Sequence, residues 1–244
     1  MSNHPLEINS LSKSFKKKQV LDNITFEVRE NEIFGLIGLN GVGKTTLIKI
    51  ILDLLKTDHG SATIFGRDVQ IPESRANIAY LPEKFYPSQF LKGKEFLSLF
   101  LSYYNKPYNQ QICTELALQL ELDPKVLDHT IGKYSKDMGQ KLGLMSVFLS
   151  EAPLLILDEP MTGLDPIARI ELKELLIKYR KKNNNTIFFS SHILSDIDEI
   201  CDRIAVIDSS RLVFLGTPAE LKEKYQSETL EYAFIKSIRN REEA

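Results

Sequence analysis

The chain has 244 residues, 43% hydrophobic and 26% charged with 12 Gly and 10 Pro; this excludes collagen-like and broadly disordered chains and, at ~150 residues per domain, allows one large domain or two small ones. Lys and Arg number 31 against 33 Asp and Glu, a net charge of -2, so no global field draws in nucleic acid or anionic lipid and any anion site must be local. Cys113 and Cys201 lie far apart and form no CxxC pair, which argues against a disulfide framework or a zinc site and fits a reducing compartment.

The N-terminal stretch MSNHPLEINSLSKSFKKK lacks the apolar segment of a secretion signal, and the longest charge-free apolar stretch, residues 142–150, is half of what a membrane span needs. The chain is therefore expected neither to span a membrane nor to be exported by a standard signal. Residues 6–15 and 20–28 alternate as half-buried strands of an antiparallel edge sheet. The basic cluster Lys13, Lys16, Lys17 and Lys18 between them reads as a solvated turn, since Asp22, Glu27 and Glu30 follow closely. An apolar run at 33–37, a Gly-rich turn and a helical pattern at 44–55 form a β-loop-α unit. Further strands are expected at 62–65, 78–81, 154–157, 186–190, 204–207 and 212–215, and helices at 166–182 and 193–201. This alternation predicts an α/β fold, a mainly parallel sheet covered on both faces.

Residues 84–150 break the alternation. Helical periodicity at 91–104, 108–120 and 138–149, with no strand between, predicts a helical insert entered through Pro82 and Pro87. Thr217, Pro218 and Glu220 form a capping box for a helix running to about Tyr225. The expected organisation is one domain over 1–244: a core from 1–83 and 151–225, a helical subdomain at 84–150 and a tail at 226–244, fraying from Ser237.

Gly38-Leu-Asn40-Gly41-Val-Gly43-Lys44-Thr45 satisfies GxxxxGK[ST] between a strand and a helix. The glycines let backbone N–H groups converge on phosphate oxygens, Lys44 adds a charge, Thr45 offers a hydroxyl to Mg²⁺, and the helix dipole adds to the attraction. At 154–159 an apolar strand ends in Asp158 and Glu159, which places two carboxylates at the carboxyl edge of a parallel sheet, where ligands bind. One can hold Mg²⁺ through water; the other can orient and deprotonate a nucleophilic water. No GxSxG, HExxH or GxGxxG is present.

The run continues Pro160-Met-Thr-Gly163-Leu164-Asp165-Pro166, then a strand ending Ser190-Ser191-His192, and over essentially the whole chain this order resembles the ATP-binding cassette subunits of ABC transporters. The resemblance implies a Walker A loop from Gly38 to Thr46, Asp158 as magnesium ligand, Glu159 as catalytic base, Asp165 in the D-loop, His192 near the γ-phosphate and Phe15 stacked on adenine. It also implies ATP and Mg²⁺, closure as a dimer with a second cassette, identical or homologous, around two ATP, and a transmembrane permease subunit that holds the chain on the cytoplasmic face of the cell membrane. The stretch LEYAFIK at 230–236 looks like exporter-type members. Two relatives of the family are weighed against this: a soluble cassette ATPase acting on nucleic acid or ribosomes, which a single cassette with a short insert disfavours, and a non-hydrolysing scaffold, which Asp158, Glu159 and His192 disfavour. No nucleic-acid partner is expected.

The sequence departs from the family pattern twice. Glu83 stands where a Gln is usual; its carboxylate can still ligate Mg²⁺ or water. The signature segment, usually LSGGQ, reads Tyr134-Ser135-Lys136-Asp137-Met138. Ser135 keeps its place beside the opposing nucleotide or serves as a helix N-cap. Asp137 puts an acid at that site, and at ~6 Å with an effective dielectric near 20 its repulsion of the γ-phosphate is ~3 kcal/mol before screening. The ATP-closed dimer is accordingly expected to be weak.

Overall fold

The computed structural model describes residues 4–239. Strands β1 (Leu6–Phe15) and β2 (Lys18–Val28) pair antiparallel, and β1 also takes β4 (His59–Ile64), which carries the two-residue β5 (Arg67–Asp68), in the order β2-β1-β4-β5. Alternation fixes which face is inside: Ile24, Phe26 and Val28 are buried while Thr25 is exposed.

The second sheet contains β3 (Ile33–Ile37), β6 (Ile78–Leu81), β7 (Leu154–Asp158), β8 (Thr186–Ser191), β9 (Arg203–Asp208) and β10 (Arg211–Gly216) in the order β10-β9-β3-β8-β7-β6. Only the β10 edge is antiparallel. Every residue of β3, β7 and β8 is buried, as unbroken apolar runs covered on both faces require. On one face Phe34 and Phe188, side by side in register, stack with Phe26 of the antiparallel sheet at ring separations of 5.3 to 6.3 Å. Helix α1 (Lys44–Ile51) closes the same core with Leu47, Ile48 and Ile51.

The other face, with Ile33, Ile37, Leu155 and Leu157, packs against the helical insert and the helices after it. The insert contains α2 (Gly93–Ser102), α3 (Gln110–Gln119) and α4 (Lys136–Ser150); beyond it come α5 (Pro166–Asn183), α6 (Leu194–Ile200), α7 (Pro218–Lys224) and α8 (Leu230–Arg239). No strand interrupts the insert, as its periodicity predicts.

Some expectations need correction. The first helix stops at Ile51 rather than residue 55, because the chain turns out of the helix at Leu52 and Asp53 takes a φ of 55°. Residues 226–239 are not simply a tail: α8 buries Leu230, Ala233, Phe234 and Ser237 against the core, so the helix continues past Ser237, where fraying was expected. Residues 240–244 lie outside the described residues. The 3-10 turn Pro72–Asn77 and β5 carried no periodic signal. Among the described residues no helix is long and apolar enough to cross a membrane.

Candidate functional site

The loop between β3 and α1 turns back on itself through residues that only glycine fits. Gly43, the N-cap of α1, has a φ of 118°, and a Cβ there would stand 2.9 Å from Val20 O; Gly41, at φ 79°, leaves open space on the cavity side. The helix therefore presents free N–H groups and the positive end of its dipole to the cavity. Lys44 is 6% exposed; its Nζ donates to Gly38 O at 2.7 Å and lies 3.5 Å from Glu159 Oε1.

Strand β7 supplies the carboxylates. Its partner β8 sets Ser190 opposite Asp158, and Ser190 Oγ donates to Asp158 Oδ1 at 2.6 Å. Burial, with Glu83 and Glu159 adding to it and Ser190 and Thr45 opposing, holds the Asp158 carboxyl above its ordinary pKa. Asp158 Oδ2 is buried with no hydrogen-bond partner among the described residues. Glu159 turns the chain at φ 52°, its N–H donating to Ser190 O and Oγ, and its Oε2 lies 2.7 Å from His192 Nδ1. Helices α5 and α6, which follow Asp165 and His192, are tied by Arg169 to the buried Asp196 at 2.7 Å, with Lys173 Nζ at 3.7 Å.

These groups meet in one cavity of about 550 Å³, lined by Asn40, Gly41, Gly43, Lys44, Thr45, Thr46, Glu83, Glu159, Thr162 and His192. Gly38 sits behind it as the acceptor for Lys44. Asp158 is also absent from the lining, and three further candidates stand away from it. Phe15 ends β1 at 45% exposure under Lys13 Nζ, 5.6 Å from its ring centre. Ser135 caps α4, accepting from Met138 N at 3.1 Å, and Asp165 caps α5, accepting from Ile167 N and Ala168 N at 2.9 Å each. Those two N–H groups, ahead of the nearby Lys141, hold the Asp165 carboxyl below its ordinary pKa.

Asp137 departs from expectation. Its Oδ2 lies 3.0 Å from Nζ of the buried Lys141, one helical turn on, so the charge that the sequence placed beside an opposing phosphate is matched within the same helix. The unscreened repulsion therefore does not apply. Sequence reasoning missed Ser190 and Thr162; the register of Ser190 with Asp158 becomes visible only once the strand order is known.

The residues fit a phosphate chain with a hard cation. The unpartnered Asp158 Oδ2, the Thr45 hydroxyl and the Glu83 carboxylate offer only oxygen, the donor set Mg²⁺ prefers. Among the described residues no three His, Cys, Asp or Glu cluster as a metal site, so such an ion needs further ligands from phosphate or water.

Comparison with known proteins identifies the family. Residues 21–162 match the family model described as ABC transporter. An uncharacterized ABC transporter ATP-binding protein of Synechocystis is 35% identical over 209 residues, which cover 84% of this chain and 59% of that protein. YdbJ of Bacillus subtilis, of the same description, is 33% identical over 94% of this chain and 73% of its own. The bacitracin transport ATP-binding protein BcrA of Bacillus licheniformis is 33% identical over 85% and 68%. A solved structure described as the ATP binding subunit of an ABC transporter superposes with a TM-score of 0.87 at 31% identity, covering 95% of this chain and 98% of that one. The first two curated relatives are longer: the match spans 59% and 61% of their lengths.

Proposed function

This chain belongs to the ATP-binding proteins of ABC transporters, and from that premise we propose that it binds and hydrolyses ATP as the nucleotide-binding subunit of a membrane transporter. The observation that carries the reading is one cavity lined by the Lys44 loop, Glu159 and His192, with Asp158 one residue before Glu159 at the end of β7. Lys44 and the N–H groups at the start of α1 hold the β- and γ-phosphates, and Phe15 stacks on the adenine. Thr45, Asp158 and Glu83 would hold Mg²⁺, which when bound neutralises charge on the phosphates. Glu159 orients the attacking water and takes its proton; His192, beside its Oε2, keeps that carboxylate in place and meets the γ-phosphate. Catalysis rests on positioning and charge stabilisation.

Ser135 and Asp165, which stand outside the cavity, face the nucleotide of a second cassette, identical or homologous, when two subunits close around two ATP. The permease docks on the helical insert, whose exposed Tyr86, Phe90, Leu99 and Tyr103 supply an apolar surface. It holds the subunit on the cytoplasmic face of the cell membrane. Likeness to a bacitracin transport protein, together with the LEYAFIK stretch now in α8, supports the exporter type.

Glu159→Gln tests the reading. It keeps shape and hydrogen bonding but removes the base, so hydrolysis falls about 10²- to 10⁴-fold while ATP binding remains. A variant that hydrolyses ATP at the native rate places the base elsewhere.

A further inference from the structure

Helix α4 of the insert grips the loop that follows Glu159 at more than one point. Gln140, 7% exposed, donates from Nε2 to Pro160 O at 3.1 Å. Its neighbour Lys141 donates from Nζ to Glu121 O at 3.1 Å and lies 3.9 Å from Asp165 Oδ2, with Asp137 holding the ammonium from the other side. Lys136, one turn before Gln140, runs its stem along Gly163, where an added Cβ would meet Cε at 3.4 Å. Positions 136, 140 and 141 share one side of the helix, and all three reach toward residues 160–165.

That loop carries a strained neighbour. Glu159 holds a left-handed φ of 52°, which costs a residue with a side chain some stability and here is held by the hydrogen bonds around it. On the sheet side its N–H is fixed by Ser190, and its carbonyl accepts from Thr162 N at 3.0 Å. The next carbonyl, Pro160 O, takes the amide of Gln140, and this hydrogen bond crosses from the insert to the core. A buried primary amide is costly unless bonded, and an apolar side chain of equal length would fill the same space. The contact is therefore explained by where it aims Pro160 rather than by packing.

We propose that Gln140 is a positioning residue for Glu159, through which the orientation of the helical insert sets the placement of the base. The inference rests on the ATPase reading above. Gln140 does not line the cavity; it fixes the peptide one residue beyond the carboxylate. A rotation of α4 relative to β7 pulls on Pro160 O and turns Glu159 toward or away from the attacking water. Anything that docks on the insert is thus felt at the hydrolytic step and not at the phosphate loop, which is anchored on β3 and α1.

The test is Gln140→Met in the full chain, which keeps length and apolar packing and removes the donor. With Mg-ATP, kcat falls about tenfold, while the dissociation constant of a fluorescent ATP analogue stays within about twofold; the Tm falls by a few degrees, since Pro160 O loses its donor. A purely structural Gln140 would leave kcat unchanged well below the Tm, or lower affinity and turnover together, and either result overturns the proposal. If Gln140→Met does not fold, Gln140→Glu, nearly the same shape with no N–H to donate, reads the same split. Native kcat in a foldable variant, beside a wild type that binds and turns over ATP, overturns this inference alone. A wild type that binds no nucleotide overturns the site reading, and this inference with it.

Discussion

The strand ends of the core hold Lys44, Asp158 and Glu159 each below 8% exposure, while the outer side of the insert leaves Tyr86, Phe90 and Tyr103 at 85, 92 and 78%. The two regions reverse the usual arrangement in opposite ways: one buries charge, the other exposes aromatic surface. Buried charges need fixed partners, and Lys44, Ser190 and His192 supply them at the ends of fully covered parallel strands. Exposed aromatics need no partner inside the chain. The core therefore gives up stability to hold charged groups in place, whereas the insert leaves apolar surface exposed. Lys141 and Asp137 are the exception, a core-like buried cation within the insert, and they lie on the side that meets the core.

The largest effect that sharpens this contrast comes from Lys44→Ala. It removes the cation from the phosphate loop, and nucleotide affinity falls by ~1.5 to 3 kcal/mol, or about 10- to 150-fold. Calorimetric titration measures it; unchanged affinity removes the phosphate-loop assignment. Asp137→Gly tests the insert's exception. With its paired acid gone, Lys141 keeps only carbonyl and distant carboxylate partners, and glycine weakens the first turn, so stability falls by about 2 kcal/mol in denaturant unfolding. A stabilised variant would mean that Asp137 is not the counter-charge.

The smallest effect runs the other way. Because burial raises the Asp158 carboxyl pKa in the fold above its unfolded value, its ionisation destabilises the nucleotide-free protein as pH rises past the ordinary carboxylate range. Asp158→Asn removes that penalty, so Tm rises by about 2 to 4 °C at neutral pH and the gain disappears in acid. Melting curves across pH without nucleotide check it; a lower Tm at neutral pH contradicts the burial argument.

Sequence patterning located the sheet and insert well because their signals are periodic or continuous. Strand Ile78–Leu81 has the expected bounds, and α2, α3 and α4 lie within two residues of theirs. Helix α8, expected as a tail, was legible too, since its buried residues, Leu230, Ala233, Phe234 and Ser237, fall at the i, i+3, i+4 and i+7 spacing of an amphipathic helix. The cavity was legible from the motifs, yet Ser190 and Gln140 were not. Each acts through a neighbour brought close by strand order or helix packing, and nothing in a lone Ser or Gln marks that contact. The direction of the Asp137 side chain was likewise a matter of three dimensions: the sequence names Lys141 four residues on, but not that its ammonium is buried beside it.

The Lys44 ammonium is already fully engaged by its own chain, with Gly38 O at 2.7 Å, Leu39 O at 3.4 Å and the Glu159 carboxylate at 3.5 Å. Ligand entry is therefore an exchange and not an addition. A monovalent anion brings one charge against a carboxylate and two carbonyls, whereas a polyphosphate brings several and also meets the loop's N–H groups, so the exchange favours the polyphosphate. The same three contacts thus both steady the buried ammonium and set the selectivity of what replaces them.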